Sequence, residues 1–184
     1  MKTGTFLLMI MLASCLMWYS SCNKIRQLTA IDFSYTLPRT TFIYPQGGLK
    51  NTEVLLYTGS IYINLDSLLA ANGLSGGMVG NTFIRKFSVT IEHPPGANFD
   101  WVQSARVVVS GNHNLDPSQE VAFIVNPSPG DTILNMEMTK ANIRNYFDKS
   151  TIYYGLYGVL DGAFPFEWVQ MYLDAQIQFR LEPL

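Results

Sequence analysis

From Val169 to Leu181 the chain reads Val-Gln-Met-Tyr-Leu-Asp-Ala-Gln-Ile-Gln-Phe-Arg-Leu, with an apolar residue at every odd position and almost only polar ones between them. On a helix those apolar side chains would scatter around the axis. On an extended strand they all point to one side, so the pattern demands a long β-strand with one face on a core. The same period recurs upstream. Phe83, Phe87, Val89 and Ile91 alternate with Ile84, Lys86, Ser88 and Thr90, with Arg85 as an exception on the apolar side. Leu55, Tyr57, Ile61, Ile63 and Leu65 form a third row, in which Gly59 reads as a bulge or bend.

Val102 to Ser110, Val121 to Asn126 and Ile133 to Met138 add further strands, the last two joined by the turn chemistry of Asn126-Pro127-Ser128-Pro129-Gly130-Asp131. With Thr29 to Thr36, Thr41 to Tyr44 and Ile152 to Leu160 the expected total is about nine. Two short helices interrupt them. One runs from the capping residue Asp66 to the stop at Gly73; the other, Thr139 to Lys149, places Ile143, Tyr146 and Phe147 at helical spacing. Many short strands with few helices predict an all-β fold, an antiparallel two-sheet β-sandwich of jelly-roll or immunoglobulin-like layout. A length of 184 residues, 48% of them hydrophobic and 14% charged, suits one well-packed domain and not a disordered chain.

The first residues follow a different rule. Lys2 is followed by the unbroken apolar stretch Phe6 to Leu12, a mostly apolar continuation to Tyr19, and then Ser20 and Ser21. Charge, apolar run and small residues in that order lay out an export signal, and the run is shorter than the roughly 20 apolar residues of a membrane-spanning helix. Cys22 stands directly after the small pair. Tyr19-Ser20-Ser21-Cys22 resembles the lipobox of bacterial lipoproteins, and Leu12-Ala13-Ser14-Cys15 offers an alternative site. The resemblance covers residues 1 to 23. It implies that residues 1–21 are a signal peptide that is removed, that Cys22 (alternatively Cys15) carries a covalent lipid, that residues 22–28 are a tether, and that residues 29–184 are the folded domain. Cys22 gives the fuller signal and the polar start Asn23-Lys24. Both cysteines lie in this region and none follows, so cysteine here is expected to anchor the chain and not to staple it. The tether spans at most about 25 Å, which keeps the domain near the bilayer. Asn23 is not the aspartate that retains some lipoproteins in the inner membrane, and Asn23 to Gln27 lacks the acidic residues that mark some surface-displayed ones. The expected location is the bacterial outer membrane, facing the periplasm in preference to the exterior.

Chemistry is harder to find. Twelve basic and 14 acidic residues give a net charge of −2 with no basic block, so nucleic acid has no electrostatic footprint to bind. Gly73-Leu74-Ser75-Gly76-Gly77 spells G-x-S-x-G, but a nucleophile elbow needs a strand before it and a helix after it, whereas here a helix enters and no helical pattern leaves. The same glycines lack the Lys-Ser/Thr ending of a phosphate loop. His93 and His113, the only histidines, sit in turns without partners at metal-binding spacing. Asn112, Asn114 and Asp116 offer oxygens at alternate positions, yet Pro117 and Phe123 occupy the places where a calcium loop carries glycine and glutamate. No catalytic residue, metal or cofactor is expected beyond the covalent lipid.

Aromatic residues are the more informative feature. Tyr153 and Tyr157 share one face of their strand with Gly155, while Ile152, Tyr154, Leu156 and Leu160 share the other. Such a strand is either buried on both sides or presents a platform of the kind that stacks on pyranose rings. Ala163-Phe164-Pro165-Phe166-Glu167-Trp168 places three large aromatics in a connection at one end of the sandwich, where Phe164, Phe166 and Trp168 either plug the core or anchor a partner. The sequence therefore predicts a membrane-anchored lipoprotein acting as a non-catalytic binding or accessory subunit of an envelope protein assembly. The alternative is a carbohydrate-binding lipoprotein using Tyr153 and Tyr157, and a hydrolase ranks third.

Overall fold

The computed structural model describes residues 30–45, 47, 50–73, 78–148, 151–161, 164 and 166–182. Cys15, Cys22, the signal-like segment, the tether and residues 74–77 of the G-x-S-x-G stretch lie outside them. The strands are β1 (Ile31–Thr36), β2 (Thr40–Pro45), β3 (Glu53–Tyr62), β4 (Met78–His93), β5 (Val102–Ser110), β6 (Ser118–Val125), β7 (Ile133–Asn135), β8 (Glu137–Met138), β9 (Thr151–Leu160) and β10 (Trp168–Glu182). They form two antiparallel sheets packed face to face. In sheet A, β1 and β2 succeed one another along one side of β10, followed by β4 and β7; sheet B runs β3-β9-β5-β6-β8.

The pairing is nested. β5 pairs β6, β4 pairs β7, β3 pairs β9, and β1 with β2 pairs β10, as though one long hairpin had been bent over and rolled until β10 met β4 and β9 met β5. That is the jelly-roll layout. An immunoglobulin-like sandwich would group its strands as ABED against CFG, so of the two expected layouts only the jelly roll describes this chain.

β10 is the strand that its alternation predicts. Val169, Met171, Leu173, Ala175, Ile177, Phe179 and Leu181 are all buried, and the residues between Val169 and Leu181 are half-buried. Each fully buried large side chain of this row contributes about 1.5–3 kcal/mol of transfer free energy. Phe179 is gripped by Phe33 of β1, stacked at 5.0 Å, and by Phe147, edge-on at 5.1 Å.

The exception at Arg85 has a structural cause. Gln176 pairs Lys86 and Ile177 pairs Ile84, so Arg85 is the extra residue of a β-bulge, which reverses the sidedness of β4. Before the bulge Thr82 and Ile84 face the core; after it Phe87 and Val89 do. Phe83, expected on the same face as Phe87, stands half-buried on the other side, opposite Gln178. In β3 the register shift falls between Leu55 and Tyr57, so the bulge is not at Gly59. Gly59 has a different reason to be glycine: a Cβ there would come within 2.7 Å of the phenol of Tyr154.

The expected strand Ile133 to Met138 is two. β7 pairs β4 in sheet A and β8 pairs β6 in sheet B, with buried Met136 at the corner donating its N–H to Phe87 O at 3.1 Å. Helix α1 (Leu65–Ala71) is capped by Asn64, whose side chain accepts from Ser67 N at 3.0 Å, and not by Asp66, which sits in the first turn where its charge suits the helix dipole. The second expected helix shrinks to a 3-10 turn at Arg144–Asp148. Its upstream half bonds elsewhere: Lys140 has φ of 58°, Ile143 N donates to Thr82 O, and the Asn142 side chain accepts from Thr82 N.

Candidate functional site

A cleft of about 210 Å³ opens between the sheets at the edge formed by β1, β2 and β3. Leu37, Pro38 and Thr40 frame one side of its mouth and Ser60, Ile61 and Tyr62 the other. The opening follows from a break in the edge of sheet A. β1 ends at Thr36 and β2 begins at Thr40; between them Leu37 N still donates to Ala175 O at 2.9 Å, but Pro38 has no N–H to continue the ladder. At that break β10 contributes Ala175, the smallest residue of its buried row, and sheet B contributes Val107, Val109 and Val121 to the same space. Short side chains on both sheets leave the gap.

The lining carries no ionised group at neutral pH among its described residues; its polar atoms are the hydroxyls of Thr40, Ser60 and the tyrosines Tyr35, Tyr62 and Tyr154. Tyr154 lies at the centre of this set. It pairs Gly59 across the β3–β9 ladder, its ring crosses above that glycine toward the edge strand, and Tyr57 packs at 5.9 Å. Burial pushes its phenol up to about 12, with Tyr57 reinforcing the rise and a hydrogen bond with Thr40 opposing it. The cleft supplies apolar surface, shape and hydroxyl hydrogen bonds. Sequence reasoning missed it, because its walls come from eight strands and the break before Thr40; the signals available were Pro38 and the lone alanine in the β10 row.

The outer face of sheet B holds most of the other residues singled out from sequence. Tyr153 and Tyr157 are half-buried there, on either side of Gly155. The loop from Gly111 to Pro117 folds back over them. Its buried Leu115 sits where a Cβ on Gly155 would fall, at 2.5 Å, while His113 meets Tyr153 edge-on at 6.4 Å. The loop is pinned by Ser110 Oγ donating to Pro117 O at 2.6 Å and by Asn112 Nδ2 donating to Asp116 O at 2.8 Å. Asn114 Oδ1 accepts from Asp116 N, so this side-chain oxygen serves the turn itself. Tyr157 is covered by the Arg106 guanidinium at 4.8 Å, which is held in turn by Glu53 through two bonds of 2.6 and 2.8 Å. Those bonds hold the Glu53 carboxyl below its ordinary value. The rings thus form a packed layer and not an open platform. His93 is exposed at the end of β4, opposite Gln170 and far in register from any histidine partner. No cluster of three His, Cys, Asp or Glu side chains suited to a metal is found among the described residues.

The three aromatics before β10 part company. Phe164 is 5% exposed and packs edge-on against Trp101 at 4.7 Å and Tyr44 at 5.5 Å, so it plugs the end of the core and presents no surface to a partner. Phe166 is half-buried against Phe164 at 5.9 Å. Trp168 alone is open, 44% exposed on the outer face of sheet A beside its register partner Pro45, with Ile43, 61% exposed, one step diagonal to it.

No family model and no curated protein matches the chain. Among solved structures it is similar to Desmodium yellow mottle tymovirus (12% identity, 84% of this chain and 90% of that chain, TM-score 0.28). It is also similar to the capsid of Helicobacter pylori bacteriophage KHP30 (11% identity, 82% and 94%, TM-score 0.26) and to the decameric BFDV capsid protein (10% identity, 83% and 99%, TM-score 0.33). The jelly-roll layout is defined by the strand pairing of the chain itself.

Proposed function

We propose that this chain is a membrane-anchored lipoprotein, held through an acylated Cys22 in the bacterial outer membrane, that acts as a non-catalytic binding subunit of an envelope protein assembly. The observation that carries the reading is the pair Trp168 and Ile43, two large apolar side chains exposed together on one sheet face. Exposed tryptophan is the residue type that most often dominates interface energy, and a bare pair of this kind is the natural centre of a contact. Two or more acyl chains on one cysteine give firm membrane attachment, where one gives only marginal binding. The glycan reading loses its support because Leu115 and Arg106 occupy the space over Gly155 and Tyr157.

The test has two arms. Intact-mass analysis of the chain extracted from its native membrane is expected to show a polypeptide starting at Cys22 with added fatty acyl mass; an unmodified chain in the soluble fraction defeats the anchor. Mild-detergent isolation is then expected to recover the same partner repeatedly with wild type and to lose it with Trp168→Ala plus Ile43→Ser, both variants melting alike. Undiminished recovery by the folded variant defeats this surface as the contact.

A further inference from the structure

We propose that the cleft between the sheets is a binding site for one uncharged hydrocarbon chain, whose hydroxyl or carbonyl end meets the phenol of Tyr154 at the mouth. The inference does not depend on the lipid anchor. Protein interiors are close-packed, and a gap of about 210 Å³ open to the edge of a sandwich exceeds the roughly 150 Å³ engineered cavity that holds benzene. Its shape is set by two sheets about 10 Å apart, a separation that admits one alkyl chain between opposing rows of small residues.

The chemistry of the occupant follows from the order of the lining. Ala175 of β10 and Val107 and Val109 of β5, which belong to interior strands of the two sheets, offer only methyl groups, so the buried part of a ligand must be apolar. No cation or carboxylate lines the space, and a charged head brought into it would lose its hydration without a counter-charge, which excludes fatty-acid carboxylates and amines as preferred ligands. Hydroxyls stand toward the edge strands. Tyr154 reaches there because Gly59 lets its ring pass, and Thr40 lies beside its oxygen, so a neutral polar end can exchange hydrogen bonds with this pair while the tail points inward. Gly59 is therefore a positioning residue for the phenol.

The test uses the full chain carrying Cys15→Ser and Cys22→Ser, which cannot be acylated at either position. 1-Decanol, decane, decanoate and decylammonium are each titrated at pH 8 against the fluorescence of the apolar dye N-phenyl-1-naphthylamine, and melting is followed in parallel. The expected result is saturable dye binding, displacement by decanol, and displacement by decanoate and decylammonium weaker by about tenfold or more. Tyr154→Phe is expected to weaken decanol by about five- to tenfold and leave decane unchanged. Ala175→Leu, which fills the floor, is expected to abolish displacement; Val109→Ile on the opposite wall is a milder filling to use should Ala175→Leu fail to fold. Absence of saturable binding, equal affinity for decanol and decanoate, or full binding by a folded filled variant would each overturn the proposal.

Discussion

Tyr154 ties the chemistry of the cleft to the stability of the domain. Its phenol ionises near 12 in the fold against an ordinary value of 10.0. Between those values an unfolded chain has given up the proton and the folded chain has not, so the stabilisation is complete below pH 10 and is lost as the pH climbs through 12. The difference corresponds to about 2–3 kcal/mol. Thermal unfolding followed from pH 9 to pH 12 is expected to fall more steeply for wild type than for Tyr154→Phe; parallel curves would mean that the phenol is not buried as described. Phe164 makes a second prediction. Emptying its site among Tyr44, Trp101 and Phe166 should cost about 3–5 kcal/mol in denaturant unfolding of Phe164→Ala, whereas Trp168→Ala should stay within about 0.5 kcal/mol. In sequence these two aromatics are indistinguishable, four residues apart in one connection. What separates them is which side of sheet A each one meets as β10 begins, and no local pattern records that.

At the scale of elements, period-two alternation was a reliable guide where the strand runs unbroken and misleading where it does not. β10 carries no bulge of its own inward row, and its buried side could be read residue by residue. β4 changes sides at Arg85, so Phe83 falls on the face opposite to the rest of its apparent row; the charged residue on an apolar side is the visible trace of the bulge. The helical spacing of Ile143, Tyr146 and Phe147 was real as a pattern, but bonds from that segment to Thr82 outcompete all but one turn of it. Neither the cleft nor the seat of Leu115 over Gly155 was legible, because each joins elements that are distant in sequence. β10 also supports a prediction: it pairs β1 and β2 on one side and β4 on the other, so deleting residues 169–184 removes the middle of sheet A and exposes unpaired edges on both remaining parts. The truncated chain is expected to aggregate. A soluble truncation with a cooperative melt would show that sheet B and β4 fold without it.

For the molecule as a whole the nested pairing makes the two ends of the domain neighbours. Ile31 lies opposite Leu181, at the far end of the longest strand from Trp168, with 13 residue steps between Trp168 and Leu181 along β10. At about 3.3 Å per residue that is a separation of roughly 40 Å. Under the anchor proposed at Cys22, the chain would enter the fold through β1, at the Ile31–Leu181 end of the sandwich. Trp168 and Ile43 would then lie toward the other end of β10, about a strand length from the anchored end. In that arrangement the contact pair gains up to about 40 Å of reach from the rigid strand itself, to which a longer or shorter tether would only add or subtract.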